Sequence, residues 1–522
     1  MNENQDSYNQ NPQMPMMPPP MSPRLMSRRT RWGEQLMAGK PLRGQTIPNW
    51  FAAYAVGTYV VALLGVNLIN SNYATEWYFW LFGIVWVAGF FYLSIKFSHE
   101  WDTIRIRKSK AFEKKLFLTG FGLRVLYSIF IYFFYINMTG LPHEFQAADS
   151  IAYLETVEEW SNVYGTEAFW EMLEYQARYN LSDMGFPIAE FVFVKLFGLD
   201  ASYIIIRIIN SILGAYMAVI IYRIASRSFG ENTARIAAIF CMLHPVLICY
   251  SGIMLKEILM TFLLVLFIDM SDRLLHDRRY TFKTIVPLLL VGLSLFTFRT
   301  VLGIVAFMAV FFALIMIDTR IVSLGRKITT SILLIGLLLM VASENIMHEV
   351  REVTSTDVRA QQEVSMTKRY GTEGGRKGGN MFAKYAGTAV FAPLIFTIPF
   401  PTMVIAEGQE DMRLIHGGNW VRNVMSGFVL LSMFMLLLSG DWRKYTLPLA
   451  IMIGYLFMLA FTQFAHSLRF HIPVIPFEMM FAAYAITNMR KKHRNWYQIW
   501  CIFMVVTCFA WNWFKLAGRG LA

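Results

Sequence analysis

The chain has 522 residues, of which 56% are hydrophobic, 16% aromatic and only 16% charged, with a formal net charge of +12. Soluble domains carry about 25% charged residues, and a water-soluble protein of this composition would expose too much apolar surface to stay dispersed. The basic excess needs no nucleic-acid partner, because no basic patch occurs in a soluble module and Lys and Arg at cytosolic helix ends give the same balance.

Residues 1–48 read as a disordered cytosolic tail. The segment is polar and rich in Pro, Met, Gln and Asn, as in 11-NPQMPMMPPPMSP-23, and cannot bury enough apolar surface to fold. It has no apolar core behind a charged start, so it does not read as a signal peptide. Its Arg24, Arg28, Arg29, Arg31, Lys40 and Arg43 precede the first apolar run and place the N-terminus inside.

Apolar runs then predict an all-α polytopic membrane protein with about 13 transmembrane helices. The runs are 51–70, 78–97, 116–138, 201–224, 233–252, 255–272, 284–298, 300–318, 328–345, 421–440, 445–463, 469–488 and 496–514. The first two, within 49–115, precede a core at 116–345. A long outer loop at 346–420 leads to C-terminal helices in 421–522. With this order every short basic cluster falls on one side, among them Arg105 to Lys115, Arg273/Arg278/Arg279 and Arg490 to Arg494. The order requires that 386–406 does not span, and Pro393, Pro399 and Pro401 break a helical ladder there. Cys241, Cys249, Cys501 and Cys508 all lie in apolar runs without CxxC spacing and read as small core residues.

The opposite side collects the acids. Residues 139–185 hold nine carboxylates against one Arg and no Lys. Asp149 and Tyr153 are four apart and share a helix face, with His143 and Glu144 just before them. A carboxylate there reads either as part of a solvated acidic cap or as a proton acceptor for a hydroxyl. The same side receives Lys256 and Glu257 in 251-SGIMLKE-257, Arg299 inside 284–318, and Arg469 and His471 at a span start. Arg207 lies within an apolar run, where an Arg needs a partner or a water-filled cavity. Convergent cations suit a phosphate leaving group; as interfacial anchors or surface ion pairs they would carry no chemistry. The Gly-rich 368-KRYGTEGGRKGGNMFAK-384 reads as a flexible loop or as backbone amides for an anion. The chain shows no Walker motif, no GxGxxG and no HExxH.

Four stretches resemble the glycosyltransferase-C superfamily: 149-DSIAYLETVEEW-160, 185-GFPIAEFVFVKLFGLDASYIIIRIINSILGAYMAVIIYRIASRSFGENTARIAAIF-240, 244-HPVLICYSGIMLKEILM-260 and 469-RFHIPVIPFEMMFAAYAI-486. The resemblance is closest to the branch of protein O-mannosyltransferases and lipid A aminoarabinose transferases (glycosyltransferase family 39-like). It implies a glycosyltransferase-C-like fold with amphipathic helices in the first large outer loop. It also implies an enzyme of the cell envelope that transfers a sugar from a polyprenyl-phosphate carrier to a glycan, lipid or protein acceptor on the non-cytosolic face, with inversion. By position Asp149 matches the family's acid in the first outer loop and Glu257 the acid of the second, as catalytic residues. Glu144, Tyr153, Lys256, Arg207, Arg299, Arg469 and His471 are then expected to bind substrate. Ser150 follows Asp149 where protein mannosyltransferases have a paired Asp-Glu, and two extra spans precede the core.

The cofactor expectation stays open between none and a divalent cation bridging Asp149 and Glu257 to the phosphate. Short loops and the lack of a targeting signal give a multi-pass protein of a bacterial inner membrane, among lipids and without nucleic acid. Two alternatives remain. One is an O-antigen-type polymerase or ligase, for which Arg359 and 371–379 would be central; the other is a transporter or flippase of lipid-linked sugars.

Overall fold

The apolar runs form helices because a backbone removed from water must satisfy its N–H and C=O groups within each segment. The computed structural model describes residues 47–101, 109–162, 169–174, 181–277, 281–316, 395–405, 409–461 and 467–517, besides three isolated positions, 325, 332 and 521. The tail 1–46, the predicted span 328–345 apart from position 332, and Arg359, Lys368, Arg369, Arg376 and Lys377 lie outside the described residues. In chain order the helices are α1 (Asn49–Ile69), α2 (Trp77–Glu100), α3 (Ser109–Thr139), α4 (Ala148–Asn162), α5 (Gly185–Phe197), α6 (Leu199–Ser228), α7 (Glu231–Leu243), α8 (Pro245–Ser251), α9 (Glu257–Asp277), α10 (Phe282–Phe298) and α11 (Thr300–Met316). They continue as α12 (Glu410–Leu414), α13 (His416–Ser439), α14 (Thr446–Phe461), α15 (Leu468–His471), α16 (Ile475–Asn488) and α17 (His493–Ala517).

The protein is an all-α polytopic membrane protein. Among the described residues seven helices are long and apolar enough to cross a bilayer, or eight if the bent pair α7–α8 is one span. α10 and α11 are shorter apolar helices of 17 residues each. α9 covers the run predicted at 255–272, but its Asp269 and Asp272 are buried and paired with Arg227.

α6 is the central helix, packed by α3, α5, α7 and α9. α13, α16 and α7 form a second contact row, and α1 and α2 pack on α17 and α13. The run 233–252, expected as one span, bends by 47° between α7 and α8. Pro245 is the cause, since it brings no N–H to the carbonyl of Cys241. The buried Arg124 of α3 supplies the missing donors, reaching the carbonyls of Met242 at 3.0 Å and Cys241 at 3.4 Å. A Cβ on Gly214 would come within 2.7 Å of Arg124 Nε, so the guanidinium crosses α6 only over a glycine.

One boundary moves. The outer loop expected at 346–420 ends earlier, because α13 starts at His416. Its first turn, 416-HGGNW-420, looks polar in the sequence but is buried. A Cβ on Gly417 would meet the Gly83 carbonyl oxygen at 2.6 Å, so the glycine lets α13 lie directly on α2. Of the proline-bearing stretch 386–406, the described part is the segment 395–405. It runs without regular helix inside the bundle, and side chains receive its carbonyls: Asn423 at Pro399 (3.2 Å), Asn512 at Pro401 (3.0 Å) and Arg422 at Ile398. All four cysteines are buried and free.

The contacts sort the turns into two ends. One end joins 139–147, 252–257, 298–299, 409–413 and 467–469. The other joins 101, Arg223, Arg227, Phe229, Thr233, Tyr445 and Thr487, through pairs such as Arg223–Glu113, Phe229–Tyr445 and Thr233–Thr487.

Candidate functional site

The first group of side chains converges from four separate turns. α3 leaves its span at Thr139 and turns through Gly140, whose φ of 79° suits only glycine. The loop then enters α4, with Asp149 in its first turn. Glu257 likewise opens α9. A first-turn carboxylate is favoured by the positive end of the helix dipole. Between the two carboxylates stands Arg469 of α15. Its Nη1 donates to Asp149 and its Nε to Glu257.

The three differ in exposure, and that difference assigns their parts. The Glu257 side chain is 0% exposed, Arg469 21% and Asp149 54%. Glu257 is therefore the buried anchor of the guanidinium, and its Oε2 has no partner. Asp149 is the arm that faces water. Next to this group, buried Lys256 reaches Asp183 and donates to the carbonyl of Phe298 at 2.8 Å. Burial pulls the Lys256 pKa down, against the pull of Asp183. Tyr153 donates to Asp183 at 3.5 Å. Burial pushes its phenol up, so it remains a donor at neutral pH.

Arg299 follows Phe298. It donates to the Tyr455 hydroxyl at 2.9 Å and lies over the Phe470 ring at 4.3 Å. Among the described residues no carboxylate pairs with it. Arg469 and Lys256 are already matched by Asp149, Glu257 and Asp183, so Arg299 carries the uncommitted positive charge.

No protein-family model, no curated protein and no solved structure matches the chain.

The other expected residues lie elsewhere. Arg207 is buried, and its three hydrogen bonds all go to backbone carbonyls: Gly252 (2.8 Å), Tyr203 (2.6 Å) and Pro142. It braces the loop after α3 and the turn after α8 against α6. His471 is buried, with Nδ1 at 2.9 Å from Arg422, which makes a two-point pair with Glu478. That network lies inside the bundle and is not part of the Asp149 group. No group of three or more His, Cys, Asp and Glu side chains suited to a metal occurs among the described residues. The position between Asp149 and Glu257, where a divalent cation was expected as one alternative, is taken by a guanidinium. Among the described residues, those around this position do not make a metal donor set.

Glu144 joins a second group. Asp411 of α12 accepts from the backbone N–H of Phe145 (3.2 Å) and Gln146 (3.0 Å), which fastens 409–415 to the loop between α3 and α4. Burial pushes the Asp411 carboxyl up to about 6. Burial, with Asp411 nearby, pushes Glu144 up to about 7. Burial and then Arg207 hold His143 down to about 4, so it is neutral at pH 7. Glu190 of α5 is buried with both carboxylate oxygens unpartnered, and burial raises it well above the carboxylate range. A neutral acid is the form that this site accepts.

Glu144 gives a pH signature. A raised carboxyl favours the protonated fold, so stability falls as pH rises from the ordinary 4.5 to about 7 and is level above it. Glu144→Gln is expected to remove that part of the fall. Its melting temperature should exceed the wild type's at pH 8 and match it near pH 4.5; equal curves at both pH values would show that Glu144 ionises freely.

Sequence reasoning missed Asp183, Asp411 and the Arg422–Glu478 pair. Glu478 did leave a signal, an acid within the apolar run 469–488, which by itself marks a buried partner.

Proposed function

We propose that the chain is an integral membrane glycosyltransferase of glycosyltransferase-C-like architecture, with about 13 spans. It transfers a sugar from a polyprenyl phosphate to an acceptor hydroxyl on the non-cytosolic face of a bacterial inner membrane. The reading is carried by one observation, the Asp149–Arg469–Glu257 bridge with Lys256 and Arg299 beside it. An exposed carboxylate and a set of oriented cations at one membrane end are the two parts that the chemistry needs.

The donor phosphate binds Arg299 and draws Arg469 away from Asp149, while Glu257 keeps the guanidinium in place. Asp149, freed of its partner, accepts the proton of the acceptor hydroxyl. The acceptor oxygen bonds to the anomeric carbon as the bond from that carbon to the phosphate oxygen breaks. The electron pair leaves on the polyprenyl phosphate, where the cations stabilise it best with water excluded. Displacement in one step inverts the anomeric centre.

Purified protein supplied with a panel of polyprenyl-phosphate sugars should consume at least one, followed by mass spectrometry. Arg299→Gln should slow turnover more than it weakens donor binding, because charge on the phosphate grows toward the transition state. Consumption of no donor, or an unaltered rate for Arg299→Gln, would remove the enzyme reading.

One observation favours transport instead: the broken α7–α8 pair and the irregular segment 395–405 are discontinuous elements of the kind that line transporter sites. Movement of intact lipid-linked sugar between leaflets of proteoliposomes, without donor consumption, would decide for it.

Orientation follows from charge. The end opposite Asp149 carries Lys110, Lys114, Lys115, Arg223, Arg227 and Arg235 and is assigned to the cytosol. A cysteine replacing exposed Glu159 should react in intact cells with an impermeant thiol reagent, and one replacing exposed Lys114 should not. The native cysteines are buried and give little background. Labelling at 114 alone would invert the assignment.

A further inference from the structure

Arg207 of α6 holds two turns at once. Nη2 donates to the carbonyl of Pro142, in the loop between α3 and α4, and Nε to that of Gly252, in the turn before α9. Asp149 follows the first turn and Glu257 the second. Nη1 goes to the Tyr203 carbonyl, so all three nitrogens serve the backbone and no carboxylate is bonded to this cation.

The loop is hinged and tied. It turns at Gly140, in the left-handed region at φ 79°, and is tied at Phe145 and Gln146, whose N–H groups donate to Asp411. Between hinge and tie sits Glu144, 6% exposed, with Oε2 buried and unpartnered. Its charged and titratable neighbours are His143 of the loop, Tyr135 of α3, Glu190 of α5, Arg207 of α6, Asp411 of α12 and Arg469 of α15. From α4 it meets the Ser150 hydroxyl. His143 and Glu190 are neutral at pH 7, and Arg469 is held by Asp149 and Glu257. Arg207 is the neighbouring cation with no acid on it.

A buried carboxyl short of hydrogen bonds keeps its proton, because burial penalises the charged form. Burial above all sets Glu144 at about 7 in the closed loop, against the ordinary 4.5. The proton therefore favours the closed loop fully below about 4.5, and this contribution is lost as pH rises to about 7. An ionised Glu144 also makes a stronger partner for a guanidinium than a carbonyl does. We propose that Glu144 is a proton-operated catch on the loop between α3 and α4. Protonated, it lies buried and leaves Arg207 on Pro142. Ionised, it takes Nη2 of Arg207 in place of the Pro142 carbonyl, and the loop swings about Gly140. α4 begins at Ala148, so the swing draws Asp149 off Arg469, while Glu257 retains the guanidinium. The bearing of this on sugar transfer rests on the proposed function; the catch itself does not.

Hydrogen exchange of the full chain in detergent, followed by mass spectrometry and corrected for the chemical rate at each pH, tests the catch without donor or turnover. In the wild type, protection over 143–147 should fall about tenfold between about pH 5.5 and about pH 8.5, while α13 keeps its protection. Glu144→Gln, neutral at every pH, should hold the loop shut throughout. Wild-type protection that does not vary with pH would overturn the proposal, whether or not the variant folds. So would a variant that opens as the wild type does, which would pass the effect to Asp411. Neither result depends on donor consumption, so failure of the catch and failure of the enzyme reading are told apart.

Discussion

Asp149→Asn is expected to lower sugar transfer by about 10²–10⁴, the usual effect of losing a general base, while the protein keeps its fold and its donor. The geometry separates these effects. Asp149 is the exposed end of the bridge, and exposed ion pairs contribute little to stability. Arg469 retains Glu257 in the variant, so its guanidinium keeps its anchor. The asparagine amide is nearly isosteric but accepts no proton. Turnover, donor binding and thermal unfolding measured on one preparation check all three parts. Wild-type turnover would reduce Asp149 to the outer half of an ion pair. A melting temperature that falls along with activity would make the role structural.

The largest stability effect is expected at Arg422. Its guanidinium makes two bonds to Glu478, at 2.7 and 3.0 Å, with the side chains 1% and 2% exposed. Arg422→Gln leaves a buried carboxylate without its charge partner, which costs about 3–5 kcal/mol. The paired change Arg422→Met with Glu478→Leu removes both charges and should recover the part of the loss that comes from the stranded carboxylate, since a buried ion pair often adds little over apolar side chains of similar volume, while the Ile398 carbonyl and His471 still lose the guanidinium. Thermal unfolding in detergent, read for the single and double variants together, gives the comparison. If the single variant melts with the wild type, the pair is not desolvated in the folded protein.

The helices were legible wherever an apolar run is long and ends in charge. α1, α2, α3 and α6 follow from that pattern, and so does the turn at 252–256. The bend at His244–Pro245 was written in the proline, but its consequence depends on Arg124, which lies more than a hundred residues earlier and reaches the freed carbonyls only in the packed bundle. The site was legible in its members and not in their pairing. Asp149, Glu257 and Arg469 each stand out as charges at one membrane side. That one arginine holds both acids is a contact across 320 and 212 residues, which no local pattern encodes. Arg207 stood out equally well, yet its donors meet only carbonyls, because a buried guanidinium serves a bend in the backbone as readily as it serves a ligand.

The irregular segment 395–405 sets the order in which the molecule can be assembled. The donors for its carbonyls come from α13 and α17, made after it. As the chain leaves the ribosome the Ile405 N–H can already find the Tyr73 carbonyl, but the carbonyls of Ile398, Pro399 and Pro401 lack the donors that they meet in the fold, and lipid offers none. It must therefore wait in water or in the insertion machinery until its receiving helices arrive. A chain halted before His493 lacks Asn512 and Lys515, and leaves the carbonyl of Pro401 and the hydroxyl of Thr402 unmatched. Truncations from the C-terminal side should thus be cleared by quality control, even though everything upstream of the cut has been translated intact.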